Sequence, residues 1–267
     1  MPGDTALLAA AHQSLKGTVG SFVFQDRTYV AKRLTGRSPG RLREAWQSLL
    51  LGIAARYLAG VPLRPAALPP GRDYERRRLQ FLLAAGQPVP PVLAWDAELM
   101  VLVHAGQDGF KVMRRLPRAE RTRLLLRLAA ELGDFHAAGH WHGGAQIKNV
   151  LIHEDRTCRI DFEEAALERL PLPLAQAYDL ILFLNIIPLA GPLDEAESRE
   201  LLPKLLQAYF AHQPDRAVRQ CLERILPWAR RLRRLARPFR RLSRKSIRRA
   251  EILIDCLEHC LGPRPDA

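Results

Sequence analysis

One stretch constrains this chain more than any other, the 28 residues from His136 to Glu163. A leucine-rich helical pattern over Ala119–Ala138 runs into a loop, Gly139–Lys148. A short apolar strand, Val150–Ile152, follows, and then a second, Cys158–Phe162. The loop presents His142 and Asn149 seven residues apart, and the second strand ends in Asp161-Phe162-Glu163. Asn and Asp are each common as turn residues, but here both are flanked by strand at a fixed spacing. An amide oxygen and a carboxylate are hard donors, few in number, that leave coordination positions for phosphate oxygens and water. They suit Mg²⁺, with Asn149 and Asp161 as the metal pair.

The rest of the chain builds a frame around that stretch. Ser21–Leu34 alternates as a strand pair across a turn at Gln25-Asp26-Arg27, preceded by the glycine-bearing segment Gly17-Thr18-Val19-Gly20. Thr35–Gly40 is a Pro/Gly loop, and Arg41–Ala59 has the period of an amphipathic helix, with Trp46, Leu49, Ile53 and Tyr57 on its apolar face. A second helix is expected over Asp73–Ala85 and a buried strand over Leu99–Val103. After Pro173 everything reads as helix: Ala175–Pro188, Asp194–His212, Ala217–Leu235 and Ser243–Leu261. Strands with helices first and helices alone afterwards is an α+β order. It predicts a small β-rich lobe over residues 1–103, carrying a helical insertion at about 41–60, and a helical lobe over 104–267.

These anchors, in this order, resemble the protein-kinase-like superfamily, a bilobal α+β fold. His142-Gly143-Gly144 and Asn149 resemble the catalytic-loop pattern H-x-D-x-x-x-x-N, and Asp161-Phe162-Glu163 resembles D-F-G with its glycine replaced. Tyr29-Val30-Ala31-Lys32 is similar to the V-A-I-K strand. The resemblance makes Lys32 the phosphate-pairing lysine and Glu75 its partner carboxylate, although an i,i+3 pair of Glu75 with Arg78 is the alternative. It also makes Gly17 and Gly20 a shortened phosphate loop and Asp179 the buried acid that anchors the catalytic loop. Within the superfamily, the short loop and the I-D-F-E ending look closest to the bacterial kinases of lipopolysaccharide-core heptose and Kdo sugars. The implied cofactors are ATP and Mg²⁺. Gln146 and Lys148 would face the acceptor or the γ-phosphate.

One position departs from the pattern. The catalytic-loop Asp falls at Gly144, so a hydroxyl proton would pass to Glu163, Glu164, His142, His140 or a phosphate oxygen. Phosphoryl transfer relies mainly on positioning and charge neutralisation, and a missing base lowers the rate by roughly 10²–10⁴. Three readings stay open: a phosphotransferase acting on a hydroxyl of an anionic lipid-linked sugar, a non-catalytic pseudokinase scaffold, and an atypical kinase acting on protein or associated with tRNA.

Net charge enters last. The 267 residues hold 41 Lys and Arg against 28 Asp and Glu, a formal +13. Eleven basic residues and no acid lie between Arg230 and Arg249, so about +2 remains for everything else. That distribution excludes a histone-like chain and marks one cationic segment, with Leu232, Leu235, Phe239, Leu242 and Ile247 interleaved. Its expected partner is anionic: phosphorylated lipid-linked sugar, inner-leaflet lipid or RNA. The four cysteines form no CxxC pair, and Met1–Ala11 lacks the pattern of a signal peptide. The expected location is cytoplasmic, peripheral at the inner face of the membrane.

Overall fold

The computed structural model describes residues 2–34, 52–53, 55–60, 62–68, 71–236 and 244–262. The Thr35–Gly40 loop, most of the expected helix Arg41–Ala59, and Arg237, Phe239, Arg240 and Arg241 lie outside the described residues. The chain divides into two compact units, one of Met1–Ser48, Pro65–Gly109 and Lys148–Glu168, the other of Leu49–Arg64, Phe110–Ile147 and Arg169–Ala267. The first carries a small antiparallel sheet and the second is helical, an α+β arrangement compatible with a kinase-like fold. The units interleave along the sequence, where the expectation had a single cut after residue 103. The hairpin after Lys148 pairs with a strand of the first unit and is held there.

In the sheet unit, β1 (Val19–Phe24), β2 (Arg27–Arg33), β3 (Val92–Trp95) and β4 (Leu99–Val103) form one sheet in the order β1-β2-β4-β3. The β1–β2 turn places both Gln25 and Asp26 at positive φ, 49° and 58°, which matches the right-handed twist of a two-residue hairpin. One sheet face is covered by an N-terminal helix, α1 (Pro2–Ser14), which the sequence reading did not foresee. Leu7 and Ala11, one helical turn apart, pack with Leu15 against Phe22, Ala31, Ala94, Leu99 and Val101. Strand alternation then sends Lys32, the neighbour of Ala31, to the opposite face, opposite Met100 in register. A second sheet joins β5 (Gln107–Asp108), β6 (Val150–His153) and β7 (Arg156–Arg159). The helix α2 (Tyr74–Ala84) completes this unit.

The helical unit contains α3 (Gly109–Arg115), α4 (Arg118–Ala137), α5 (Leu172–Ile186), α6 (Glu195–His212), α7 (Arg216–Ala236) and α8 (Arg244–Leu261). The last four follow the expected helices closely. Ala55–Ala59, a π-helical turn from the expected insertion, lies in this unit rather than with the sheet. Tyr57 meets Trp228 of α7 edge-to-face at 5.5 Å, and Arg224 donates to the Leu58 carbonyl at 3.2 Å.

The cationic segment is less free than a run of like charges suggests. Arg230 pairs with Glu258 at 2.7 Å and Arg233 with Asp255 at 2.6 Å, both across the α7–α8 hairpin. Arg248 pairs with Glu195 and Glu251, and Arg249 donates to the Pro188 carbonyl at 2.8 Å. Among the described residues of the segment, these four cations find partners inside the fold.

α4 and α6 approach closely at Gly133, where an added Cβ would stand 2.7 Å from the Tyr209 carbonyl oxygen and 2.8 Å from the His212 Cβ. Backbone cannot yield as a flexible side chain can, so overpacking here is costly. Gly133→Ala is expected to destabilise the protein by about 1–3 kcal/mol, measured as a lower urea midpoint with an unchanged m-value.

Candidate nucleotide and metal site

The sheet unit gathers its ionisable residues around one ammonium. β2 carries Lys32 and the first turn of α2 carries Glu75, whose carboxylate lies 2.8 Å from the Lys32 Nζ. The segment after β7 brings Asp161 to 2.9 Å and Glu163 to 2.6 Å of the same nitrogen. The i,i+3 pair of Glu75 with Arg78 does not form; Arg78 faces Glu168 at 3.6 Å. Asp161 takes a φ of 72°, in the left-handed region that Asp tolerates better than most residues and that recurs at functional sites.

Asn149 is buried just ahead of β6, and its backbone carbonyl accepts the Ile160 N–H at 3.0 Å. That bond extends the β6–β7 ladder by one pair beyond Val150–Arg159, so Asn149 and Asp161 stand at neighbouring positions of one hairpin end. This is how the spacing seen in the sequence becomes proximity. Lys148, between loop and strand, is exposed.

The electrostatics are those of a crowded acidic site around one cation. Burial works against the charge on Lys32, but Glu75 and Asp161 outweigh it and hold its pKa above the ordinary lysine range. Burial is the largest influence on Glu75 and raises its pKa to about 7, with Lys32 opposing that rise. Glu164 is raised too, by burial and then by the charges of Glu163 and Asp161. The carboxylates of Glu75, Asp161 and Glu163 each offer an oxygen within 4.8 Å of the others. Three acids against one ammonium leave surplus negative charge on hard oxygen donors, a set that fits Mg²⁺. Asn149 and Asp161, joined by Glu163, are the residues that would hold it.

Several supporting residues escaped the sequence reading. Glu168, in the 3₁₀ turn Ala165–Arg169, is buried, and the Tyr74 hydroxyl donates to it at 2.7 Å. It ties the segment after Asp161 to the start of α2. No local pattern marks an isolated Glu as buried, and only the fold supplies its partners.

The expected phosphate loop does not form at Gly17–Gly20. Gly20 lies inside β1 opposite Ala31, and neither Gly17 nor Gly20 has positive φ. Successive backbone amides converge on an anion only when the chain alternates right- and left-handed conformations, and a strand does not. Gly17 instead offers its carbonyl to the Arg33 Nε at 3.2 Å.

The helical unit holds the catalytic-loop sequence. Asp179 of α5 is fully buried and accepts the backbone N–H of His142 at 2.5 Å and of Gly143 at 2.7 Å, the anchoring expected of it. His142 is buried and its Nδ1 accepts the Gly144 N–H at 3.0 Å, so the ring shapes the loop. That engagement argues against the proton-acceptor role considered for His142. Gln176 donates to the carbonyls of His136 and His140, at 2.7 and 2.9 Å, and accepts from Gln213 at 3.0 Å. The Tyr209 hydroxyl lies 2.7 Å from the His136 Nδ1, and the two rings meet edge-to-face at 5.5 Å. Gln146 is half-buried in the same loop, its N–H donating to Gly144 at 2.6 Å.

A strand lysine bound to a helix carboxylate and to the acid after a short hairpin, and an H-G-G loop anchored by a buried acid, are compatible with a protein-kinase-like fold. No family model matches the chain. It is similar to the KEOPS complex subunit Bud32 of Pyrococcus abyssi, 29% identical over 91 residues. Those residues are 33% of this chain and 41% of that protein, so the match spans less than half of the relative's length. The likeness supports the protein-kinase-like superfamily in general, and does not single out its lipopolysaccharide-core branch.

Glu75 makes a pH prediction. Its pKa of about 7 in the folded chain lies above the ordinary 4.5, so ionisation opposes folding. The group's contribution is intact at low pH and is lost as pH rises through about 7. The melting temperature of the wild type relative to Glu75→Gln, which cannot titrate, is expected to fall between about pH 5 and about pH 8. A pH-independent difference in differential scanning fluorimetry would show that Glu75 keeps its ordinary pKa.

Proposed function

We propose that this protein binds ATP with Mg²⁺ and transfers phosphoryl groups slowly to a hydroxyl acceptor. The observation that carries the reading is the Lys32 ammonium held within 2.9 Å of Glu75, Asp161 and Glu163. Lys32 supplies positive charge for phosphate oxygens and Glu75 fixes its position. Mg²⁺ at such an oxygen site neutralises charge on the transferring phosphate. A lipid-linked sugar is the acceptor that the sequence resemblance suggests, and other hydroxyl acceptors suit the same chemistry. The relative's name places that protein in a complex, and assembly with partner subunits is the corresponding proposal here.

A second reading, a nucleotide-binding pseudokinase, is favoured by one observation: Gly144 has no side chain where the superfamily carries its carboxylate. The two readings share binding and differ in turnover.

ADP and ATP are expected to raise the melting temperature with Mg²⁺ and much less without it, and Asp161→Ala should abolish the Mg²⁺-dependent part. No shift in the wild type, or an equal shift in the variant, sinks the nucleotide site. For turnover, Gly144→Asp is expected to raise Mg²⁺-dependent ATP consumption by roughly 10²–10⁴, the contribution of a positioned general base. Zero turnover in both proteins, with binding retained, selects the pseudokinase.

A further inference from the structure

With Arg230, Arg233, Arg248 and Arg249 engaged inside the helical unit, the free cationic surface lies on another stripe of α7. Arg224, Trp228 and Arg231 follow one another at i, i+4 and i+7, so they share one helix face. The Arg231 guanidinium lies 5.0 Å over the Trp228 ring, and Tyr57 meets that ring edge-on at 5.5 Å. Both large aromatic side chains of this face are open to solvent: Tyr57 is 60% exposed and Trp228 42%. Arg56, Arg224, Arg231 and Arg234 are exposed as well, and among the described residues none of the four enters an ion pair. Glu223, the acid beside Arg224, lines a separate groove with Phe210 and Arg230.

We propose that this face, Tyr57 and Trp228 ringed by Arg224, Arg231 and Arg234, docks the protein on an anionic membrane surface. Exposed aromatic rings with polar handles gather at the headgroup level of bilayers, where one end is apolar and the other wet. Arginines beside them pair with lipid phosphates, and each basic residue near an anionic leaflet adds to the affinity. Nucleic acid fits the same charge less well. Arg231 lies over one face of Trp228 and Tyr57 packs against that ring edge-on, which leaves less of the indole for a stacking base. Among the described residues no helix is long and apolar enough to cross a membrane, so the contact is peripheral. It lies wholly in the helical unit and does not depend on the nucleotide site.

Co-sedimentation of the whole protein tests this, using phosphatidylcholine vesicles with and without phosphatidylglycerol, across a salt series. The expected result is binding to the anionic vesicles alone, weakening with salt. Arg224→Gln with Arg231→Gln should weaken it by roughly tenfold or more, and Trp228→Ala should also weaken it. Lys16→Gln with Arg27→Gln, which removes the same charge from exposed positions of the sheet unit, should leave it within about twofold. These substitutions are at exposed side chains, and unchanged circular dichroism confirms folding. Equal loss in the control pair would reduce the effect to bulk charge and overturn the docking face. So would equal binding to both vesicle types. Single-stranded RNA bound through the same arginines, with no vesicle binding, would reassign the surface to nucleic acid.

Discussion

The ammonium of Lys32 is the point on which the sheet unit turns. One cation on β2 is shared by a carboxylate from α2 and two from the segment after β7, three pieces of chain otherwise distant in sequence. Glu75 is the buried acid of the three, and burying a carboxylate is unfavourable unless a positive charge and hydrogen bonds accompany it. Removing the lysine would leave Glu75 buried and uncompensated. Glu168 acts as a second lock through Tyr74 and Arg78, and keeps the same two pieces together without touching Lys32. The left-handed φ of Asp161 is thus held from both sides, by its own ion pair and by the clamp seven residues later.

What the sequence revealed and what it hid separate along physical lines. The ion pair of Lys32 with Glu75 and the loop contacts of Asp179 were anticipated through the motif resemblance, and the flanking strands and helix through their periodicity. The contact of Glu163 with Lys32, the burial of Glu168 and the bonds of Gln176 and Gln213 were not. They join residues more than thirty positions apart, with no periodicity to announce them. Gly20 shows the opposite failure: a glycine pair read as a loop is partly strand, because β1 pairs along its length with β2 and the backbone follows the ladder. The helix α1 was hidden for a different reason. Its fully buried residues among those described are Leu7 and Ala11, with Leu8 and Ala10 half-buried beside them, too short a stripe to register before the sheet it covers is known.

Charge needs the same distinction. A linear count finds eleven cations without an acid, but helices α7 and α8 fold back on each other. Asp255 and Glu258 then reach Arg233 and Arg230, 22 and 28 residues away. Pairing is selective by helix face: the face of α7 turned to α8 is neutralised, and the face carrying Trp228 is not. Net charge therefore overstates the segment as a whole and understates that one stripe, where cations and exposed aromatic rings coincide.

The loop in the helical unit shows how a frame and its chemistry can separate. Asp179 holds the N–H groups of His142 and Gly143, and His142 holds that of Gly144, so the backbone path is fixed by groups other than the side chain at 144. Gly143 has a φ of 87° and needs to be glycine on conformational grounds, whereas Gly144 is not left-handed. The backbone conformation at 144 therefore does not itself demand glycine. The Asp179 anchor and the Lys32 ion pairs are thus both independent of any side chain at 144, and the hydrogen bonds that fix the loop at 142–144 run through backbone N–H groups.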